Sequence, residues 1–267
     1  ARRIASTSAT TGRTGIRDYL ASRPVVAEVE AIRRAITLAA DAGCPLHIVH
    51  VSSGAGVVAV VEARARGVDV TCETCPHYLV LTDADAERIG APAKCAPPLR
   101  SAAVQAELWR HLLGGDIAFV ASDHSPAPAS MKSAADFFAV WGGIAGVQAT
   151  LGLMLEEGHA RRGLALADVS RLTSRAAVDR FRLGDRGRVE PGCVADLVIV
   201  DLTAAAPLAA ADLRDRHRLS PYVGRTLRGR VRRTLVRGQT VLADGREAGP
   251  AIGQLVRPAP RAAVARS

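Results

Sequence analysis

Apolar positions in the first two thirds of the chain follow two alternating patterns. Val29, Ile32, Ile36 and Ala39 recur at intervals of three and four residues, which is typical of one face of a helix ending near Gly43. The same spacing predicts further helices near residues 57–65, 101–112, 143–155 and 166–181. Short uninterrupted apolar runs predict buried strands at 46–51, 68–75 and 117–121. Helices that alternate with buried strands indicate an α/β fold around a parallel sheet with both faces covered.

The pattern changes after Leu183, where short apolar runs are separated by glycine-containing turns. Strands are predicted at 187–189, 195–201 and 229–241, and Arg237-Gly238 is typical of a hairpin turn. The second part of the chain is therefore expected to be a small all-β unit.

These patterns predict a division of the chain into an α/β unit at 1–183, a β-rich unit at 184–256 and a loose tail at 257–267. A complete (β/α)8 barrel needs about 250 residues. Because only three strands are visible in the first unit, it is either a small open sheet or part of a barrel.

The formal charge of +9 raises the possibility of nucleic-acid binding, but its distribution argues against it. Lysine occurs only at Lys94 and Lys132, so nearly all of the 35 basic residues are arginines, scattered singly or in pairs. Aromatic residues make up 3% of the chain, too few for a base-stacking surface. We therefore expect no nucleic-acid partner.

Five cysteines in a chain of 267 residues do not form a disulfide framework. Cys72 and Cys75 lie three apart in a predicted strand, so they point to opposite faces and are interpreted as unrelated buried thiols. No apolar run reaches the roughly 18 residues that a membrane span needs, and the first residues lack the apolar segment of a signal peptide. These features favour a cytoplasmic protein without a membrane partner.

Polar side chains follow the predicted strands, at the edge where α/β proteins place their active sites. His50 ends the first strand and lies three residues from His47, so the two face opposite sides and cannot share one metal ion. Asp123 follows the third strand beside His124 and Ser125, and its carboxylate can bind a metal through one oxygen and accept a proton through the other. A structural histidine at position 50 and a cap or turn at position 123 are the alternatives.

Two further segments can present polar groups to a ligand. Residues 73–78 follow the second strand, and residues 94–100 contain Pro97-Pro98, which fixes an extended loop whose backbone can face a planar amide. A plain connecting loop is the alternative. The chain contains neither a G-x-S-x-G elbow nor a P-loop, and the glycine-rich residues 142–146 lack the P-loop lysine, so serine-hydrolase and ATP chemistry are not indicated.

These segments together resemble the cyclic amidohydrolases, the group that includes dihydroorotase, dihydropyrimidinase (hydantoinase) and allantoinase. The Trp-Gly-Gly-Ile-Ala-Gly run and the Ser-Pro-Tyr-Val-Gly-Arg run make the match closest to the allantoinases. The resemblance covers nearly the whole chain and is carried by residues 21–24, 47–53, 72–78, 94–100, 122–126, 141–148 and 220–225.

The resemblance implies part of a (β/α)8 barrel followed by part of a β-sandwich, and the ring-opening of a small cyclic ureide such as allantoin. It also implies two divalent metal ions, with zinc expected, and a homo-oligomer. By this likeness His50 is a ligand of one metal, while Asp123 is a ligand of the other and the catalytic proton carrier. The expected contacts to the substrate ring, through backbone groups, are Cys95, Ala96, Pro97, Trp141 and Gly142.

The chain departs from the family in its metal ligands. The family's His-x-His, its carbamylated lysine and its fifth-strand histidine find no match here, and Lys94 and Lys132 match other family segments. We therefore expect the chain to be the C-terminal part of a longer hydrolase, inactive and poorly soluble when expressed alone. Hydantoinase, dihydropyrimidinase or dihydroorotase activity, and a non-catalytic scaffold, remain open.

Overall fold

The computed structural model describes residues 12–260 of the chain. A three-stranded parallel sheet, in the order β1-β2-β3, forms the centre of the first part. Its strands are β1 (Leu46–Ile48), β2 (Val70–Thr74) and β3 (Phe119–Val120). All three predicted strands are present but shorter than predicted. The sheet and its helices confirm the predicted α/β class.

Helices precede, connect and follow these strands. Before and between them lie α1 (Ile16–Ala21), α2 (Val25–Asp41), α3 (Gly54–Ala65), α4 (Pro76–Val80), α5 (Asp83–Ile89) and α6 (Ala102–Leu113). After β3 lies α7 (Thr150–Leu153), which continues as a π-helical segment (Met154–Ala160). It is followed by α8 (Leu166–Ser170), a π-helical segment (Arg171–Arg175) and α9 (Ala176–Phe181). Short 3-10 turns occupy Ala91–Ala93, Ala129–Lys132 and Ala210–Asp212.

The main core lies between one face of the parallel sheet and helices α2, α3 and α6. Val70, Cys72 and Val120 from the sheet belong to one buried cluster with Ile32 of α2 and Leu112 of α6. The apolar stripe that the sequence predicts on α2 is the side of the helix that is buried. This packing fixes the sheet and therefore the loops at its carboxyl edge.

The opposite face of the sheet carries His47, whose ring stacks on Phe119 with centroids 4.7 Å apart. Its Nδ1 lies 2.7 Å from Thr71 Oγ1 and its Nε2 lies 3.1 Å from Glu73 Oε2. Both ring nitrogens are thus used within the sheet, as expected of a structural histidine.

The second part of the chain is an antiparallel sheet in the order β4-β5-β6-β7. Arg237 and Gly238 connect β5 to β6 with φ values of 49° and 77°, the left-handed pair of a type I′ turn, which confirms the predicted hairpin. Its strands are β4 (Leu197–Pro207), β5 (Thr226–Val236), β6 (Gln239–Ala243) and β7 (Arg246–Glu247).

Two sequence predictions are wrong in detail. Residues 187–188 form bends and residue 189 has no regular structure, where a strand was predicted, because Gly187 takes a φ of 75° and turns the chain beside Val178 of α9. The helix expected from Gly143 begins only at Thr150, because the glycines before it form a loop.

The chain ends lie partly outside the described residues. Residues 1–11 of the predicted first unit and 261–267 of the predicted tail are outside them, and residues 257–260 have no regular secondary structure. In the described range 12–260, no helix has the length and apolar character that crossing a bilayer requires.

Candidate active site

The candidate site lies at the carboxyl edge of the parallel sheet. His50 follows β1, Cys75 follows β2 and Asp123 follows β3, so the strand order places Cys75 between the other two. His50 and Asp123 each have a φ of 43°, a left-handed conformation that costs a residue with a side chain about 1–2 kcal/mol. The strand ends therefore bring all three polar side chains to one edge.

Cys75, His77 and Asp123 form a group that can hold a metal ion. The sulfur of Cys75, a ring nitrogen of His77 and a carboxylate oxygen of Asp123 all lie within 4.8 Å of one another. The His77 side chain is fully buried, and neither of its ring nitrogens has a hydrogen-bond partner. Burial, helped by the nearby His50, lowers the pKa of His77 to about 3, so its ring is neutral at physiological pH. Burial raises the pKa of the Cys75 thiol, and a bound metal ion would deprotonate it. A neutral imidazole, a thiolate and a carboxylate suit a divalent ion such as zinc.

The structure places only one of the two predicted ligands in this group. Asp123 is a member, whereas His50 is outside it, although His50 is near enough to contribute to the lowered pKa of His77. Cys75 and His77 were not predicted as metal ligands. Their signal in the sequence is Cys75-Pro76-His77 immediately after a buried strand, the same position that identified Asp123.

The predicted substrate contacts at 95–97 are held by two tyrosine hydroxyls. Tyr19 donates to the carbonyl oxygen of Cys95 at 2.8 Å, and Tyr78 donates to that of Pro97 at 2.8 Å. Cys95 is buried, Pro97 is half-buried and Ala96, which precedes a cis peptide bond, is exposed. Ala96 is therefore the member of this set best placed to contact a ligand.

The predicted contacts Trp141 and Gly142 are exposed and belong to a loop that lies against the Asp123 segment. The Ser125 amide donates to the Ile144 carbonyl at 2.9 Å, and the Trp141 indole donates to the Ser125 hydroxyl at 3.3 Å. A Cβ atom at Gly143 would stand 2.4 Å from Ser125 Oγ, so only glycine permits this approach. The glycine-rich run therefore serves close backbone packing.

A polar network supports the residues after His50. The Glu28 carboxylate accepts from the Ser52 amide and hydroxyl, both at 2.8 Å, and from the Ser53 hydroxyl at 2.5 Å. Arg100 donates to Ser52 Oγ at 2.9 Å and also to the carbonyl oxygen of Arg23. The turn that begins at His50 is thus joined to α2 and to the proline-rich loop.

Comparison with known families gives a match over nearly the whole chain. The model of the amidohydrolase family matches residues 5–241. The allantoinase of Rubrobacter xylanophilus is 55% identical over 246 residues, which cover 92% of this chain and 54% of that protein. The allantoinase of Deinococcus radiodurans is 51% identical, with 96% of this chain and 57% of that protein covered. The chain spans about half the length of the curated relatives it matches.

Solved structures of hydantoinases also superimpose on nearly the whole chain. The L-hydantoinase (dihydropyrimidinase) of Arthrobacter aurescens superimposes with a TM-score of 0.92 at 34% identity, over 96% of this chain and 58% of that one. A D-hydantoinase (dihydropyrimidinase) from Thermus sp. superimposes with a TM-score of 0.89 at 26% identity, over 96% of this chain and 57% of that one.

Proposed function

Because the chain belongs to the amidohydrolase family, we propose that the protein hydrolyses a cyclic amide and that its substrate is allantoin, which is opened to allantoate. The allantoinases at 51% and 55% identity support this choice of ring. The observation that carries the proposal is the position of Asp123, an exposed carboxylate within 4.8 Å of two further metal-binding atoms.

We propose that the site holds two divalent metal ions, with zinc as the expected metal. His50 and Asp123 would hold them, and Cys75 and His77 are further donors at the same edge. When bound, such ions lower the pKa of water and polarise the carbonyl group that is attacked.

Asp123 is proposed to move the proton of the reaction. Water adds its oxygen to the ring carbonyl carbon, and Asp123 accepts the proton that this water loses. The ring C–N bond then breaks, and the same carboxyl delivers the proton to the leaving nitrogen. One water is consumed and one ring bond is cleaved, so the carboxylate returns to its starting state.

The two loops beside the sheet edge are proposed to hold the ring. Ala96 and Gly142 are exposed, and both can offer backbone groups to a planar amide, while Trp141 can cover one face of the ring. Cys95 and Pro97 would act mainly by holding Ala96, since tyrosine hydroxyls already bind their carbonyl oxygens.

The decisive experiment is Asp123→Asn in the full-length protein, assayed for allantoin opening after the metal content has been measured. We expect a loss of about a hundredfold or more in kcat with metal still bound, the usual contribution of a general acid–base. Asp41→Asn, which changes an exposed carboxylate at the end of α2, is the control. Near-normal activity of Asp123→Asn would remove Asp123 from the reaction.

Hydantoinase (dihydropyrimidinase) activity is the second candidate, favoured by the superposition with the Arthrobacter aurescens enzyme. A panel of allantoin, hydantoin and dihydrouracil separates the two by kcat/KM. A preference for hydantoin or dihydrouracil would replace allantoin as the substrate. If the protein bound no metal tightly and opened none of these rings, the non-catalytic scaffold would be the alternative that remains.

The assembly and division of the protein are also proposals. We propose that residues 1–183 form part of a (β/α)8 barrel, that 184–256 form part of a β-sandwich, and that the protein is a cytoplasmic homo-oligomer. Light scattering of the purified protein tests the oligomer, and a monomeric mass would exclude it.

A further inference from the structure

The chain contains two lysines, Lys94 and Lys132, and the ammonium group of each is held by backbone carbonyl oxygens. Lys94 is 5% exposed. Its Nζ donates to the carbonyl oxygens of Phe137 at 2.6 Å and Phe138 at 3.0 Å, and also to that of Val140. A side chain that begins beside Cys95 thus ends in the loop that leads to Trp141.

Lys132 makes the reciprocal connection. Its Nζ donates to the carbonyl oxygens of Trp141 at 2.9 Å, Gly143 at 2.8 Å and Ala91 at 3.0 Å. Ala91 precedes the proline-rich loop, so Lys132 bonds to the backbone of both segments. Lys94 belongs to the first segment and bonds to the backbone of the second. Together the two side chains tie residues 91–97 to residues 137–143.

The chemistry of these contacts requires an ammonium group. An ammonium offers three donors in a tetrahedral arrangement, which matches three converging carbonyls, whereas a guanidinium is a planar fork suited to carboxylates. Lys94 and Lys132 are two of the 35 basic residues, and all the others are arginines. Even so, each of these two lysines, and not an arginine, stands where three backbone carbonyl oxygens converge in the described residues. Within residues 12–260 neither lysine forms an ion pair with a carboxylate, so carbonyl coordination is the main interaction of both groups.

Two aromatic rings also contact the ammonium group of Lys94. Its Nζ lies 4.5 Å from the centroid of the Tyr19 ring and 5.3 Å from that of Phe137. The hydroxyl of the same Tyr19 donates to the Cys95 carbonyl oxygen at 2.8 Å. Tyr19, Phe137 and Val140 form a small buried cluster separate from the main core. This cluster packs beside the two loops that the lysines connect.

We propose that Lys94 and Lys132 are positioning residues that fix the Ala96 loop and the Trp141 loop at the separation that a substrate ring requires. Neither ammonium needs to touch the ring, because each acts through the backbone that it holds. This inference rests on the proposed function for its substrate, while the linkage between the two loops is independent of any reaction.

Kinetics of Lys94→Met and Lys132→Met in the full-length protein test the positioning role. Loops that hold the ring equally in the ground state and the transition state affect KM more than kcat. We expect KM for the ring substrate to rise about tenfold, the value of one lost charge-assisted hydrogen bond, with kcat changed less than about threefold. Lys94→Arg is expected to restore little, because the planar fork cannot meet three carbonyls.

The matched control is Arg64→Met. Arg64 is a half-buried cation at the end of α3 that donates to the Asp116 carbonyl oxygen at 2.5 Å, at the amino edge of the sheet. It is expected to affect stability without changing KM. Equal changes of KM in Arg64→Met and in the lysine variants would reduce the lysines to general stabilising residues.

Hydrogen exchange separates this inference from the proposed function, since it needs no substrate. Amides in residues 129–147 are expected to exchange faster in both lysine variants and to be unchanged in Arg64→Met. Unchanged exchange in this segment would overturn the inference even for an active enzyme, whereas faster exchange in a protein inactive on every ring would support the linkage and reject the reaction. Lys132→Met, which replaces the less buried lysine, provides the test if Lys94→Met does not fold.

Discussion

At the scale of single residues, His50 and Asp123 share a left-handed backbone with φ of 43°. Such a conformation persists in a residue with a side chain only when its surroundings determine it. Hydrogen bonds from the residues that follow each one meet this condition, through Ser52 to Glu28 and through Ser125 to Ile144. The strain at the two residues is therefore balanced by neighbours to which the proposed reaction gives no role.

The lysines give a prediction of pH dependence. Burial lowers the pKa of Lys94 and of Lys132 to about 8 from 10.5. Arg23 and Lys132 lower that of Lys94 further, Asp136 opposes this, and Cys95 opposes the shift of Lys132. Between about pH 8 and 10.5 the unfolded chain binds more protons at these groups than the folded protein, so their contribution to the free energy of unfolding rises with pH.

Urea unfolding at several values between pH 8 and 10.5 checks this sign. The slope of the free energy of unfolding against pH is expected to be smaller in Lys94→Met and Lys132→Met than in the unchanged protein. Burial raises the pKa of the Cys72 and Cys95 thiols to about 12, and these groups contribute with the opposite sign. The comparison is therefore made between variants, and an equal slope in all of them would contradict the lowered lysine pKa values.

At the scale of elements, the β1–α3 connection depends on a carboxylate from α2. Glu28 accepts three hydrogen bonds from Ser52 and Ser53, and Ser53 also caps α3 by accepting from the Gly56 amide at 3.2 Å. One side chain therefore joins the helix before the strand to the helix after it, with His50 at the turn between them.

Glu28→Ala is expected to lower the free energy of unfolding by about 2 kcal/mol, because it leaves buried donors of Ser52 and Ser53 without an acceptor. Glu28→Gln keeps the shape and an acceptor, so a smaller loss is expected. Glu30→Ala, at an exposed position of the same helix, is the control. Denaturant unfolding measures all three, and similar values for positions 28 and 30 would show that the network adds no stability.

Periodicity predicted the elements better than their ends. The apolar stripe of α2 and the Arg237-Gly238 hairpin could be found from sequence because each depends on local spacing or on a φ that glycine favours. The ends of the short strands and the absence of a strand at 187–189 could not, since hydrogen bonding to neighbouring strands decides where a strand begins and stops. Local apolar content carries no information on that pairing.

Some residues of the candidate site could be selected from the sequence, and others could not. Asp123 could be selected as a candidate because a polar residue after a buried strand has a limited set of roles, and its function stays a prediction. His77 shares that position after a buried strand, but the observation that favours it as a metal donor, a ring without hydrogen-bond partners, is a property of the packed interior and cannot be read from the sequence. The carbonyl oxygens around Lys94 and Lys132 could not be predicted either, because every residue has a backbone carbonyl and the sequence does not show which ones converge.

At the scale of the whole molecule, β5 packs against the π-helical segment that follows α7. Gly229 has a φ of 85°, and a Cβ atom there would lie 2.6 Å from Leu155 Cδ1. Beside this contact the Glu156 carboxylate, 8% exposed, accepts from Arg228 of β5 at 2.9 Å and from Arg161 at 3.1 Å. A close apolar contact and a nearly buried ion pair thus join the antiparallel sheet to the helical segment that follows α7.

Arg228→Ala is expected to destabilise the protein by about 1–2 kcal/mol, since it leaves a nearly buried carboxylate with one cation fewer. Arg161→Ala removes the other cation of Glu156 from the same helical segment, where it is 59% exposed, and a smaller effect is expected. Thermal unfolding compares the two, with hydrogen exchange in β5 as the local measure. A larger effect of Arg161→Ala would mean that Glu156 does not connect the two parts.

The scarcity of lysine gives this chain a convenient pair of spectroscopic reporters. Isotope labelling with lysine alone would add two side-chain signals from these residues, one from each of the loops beside the sheet edge. Titration of a ring compound against such a sample would reveal which loop responds first, without a mutation and without turnover.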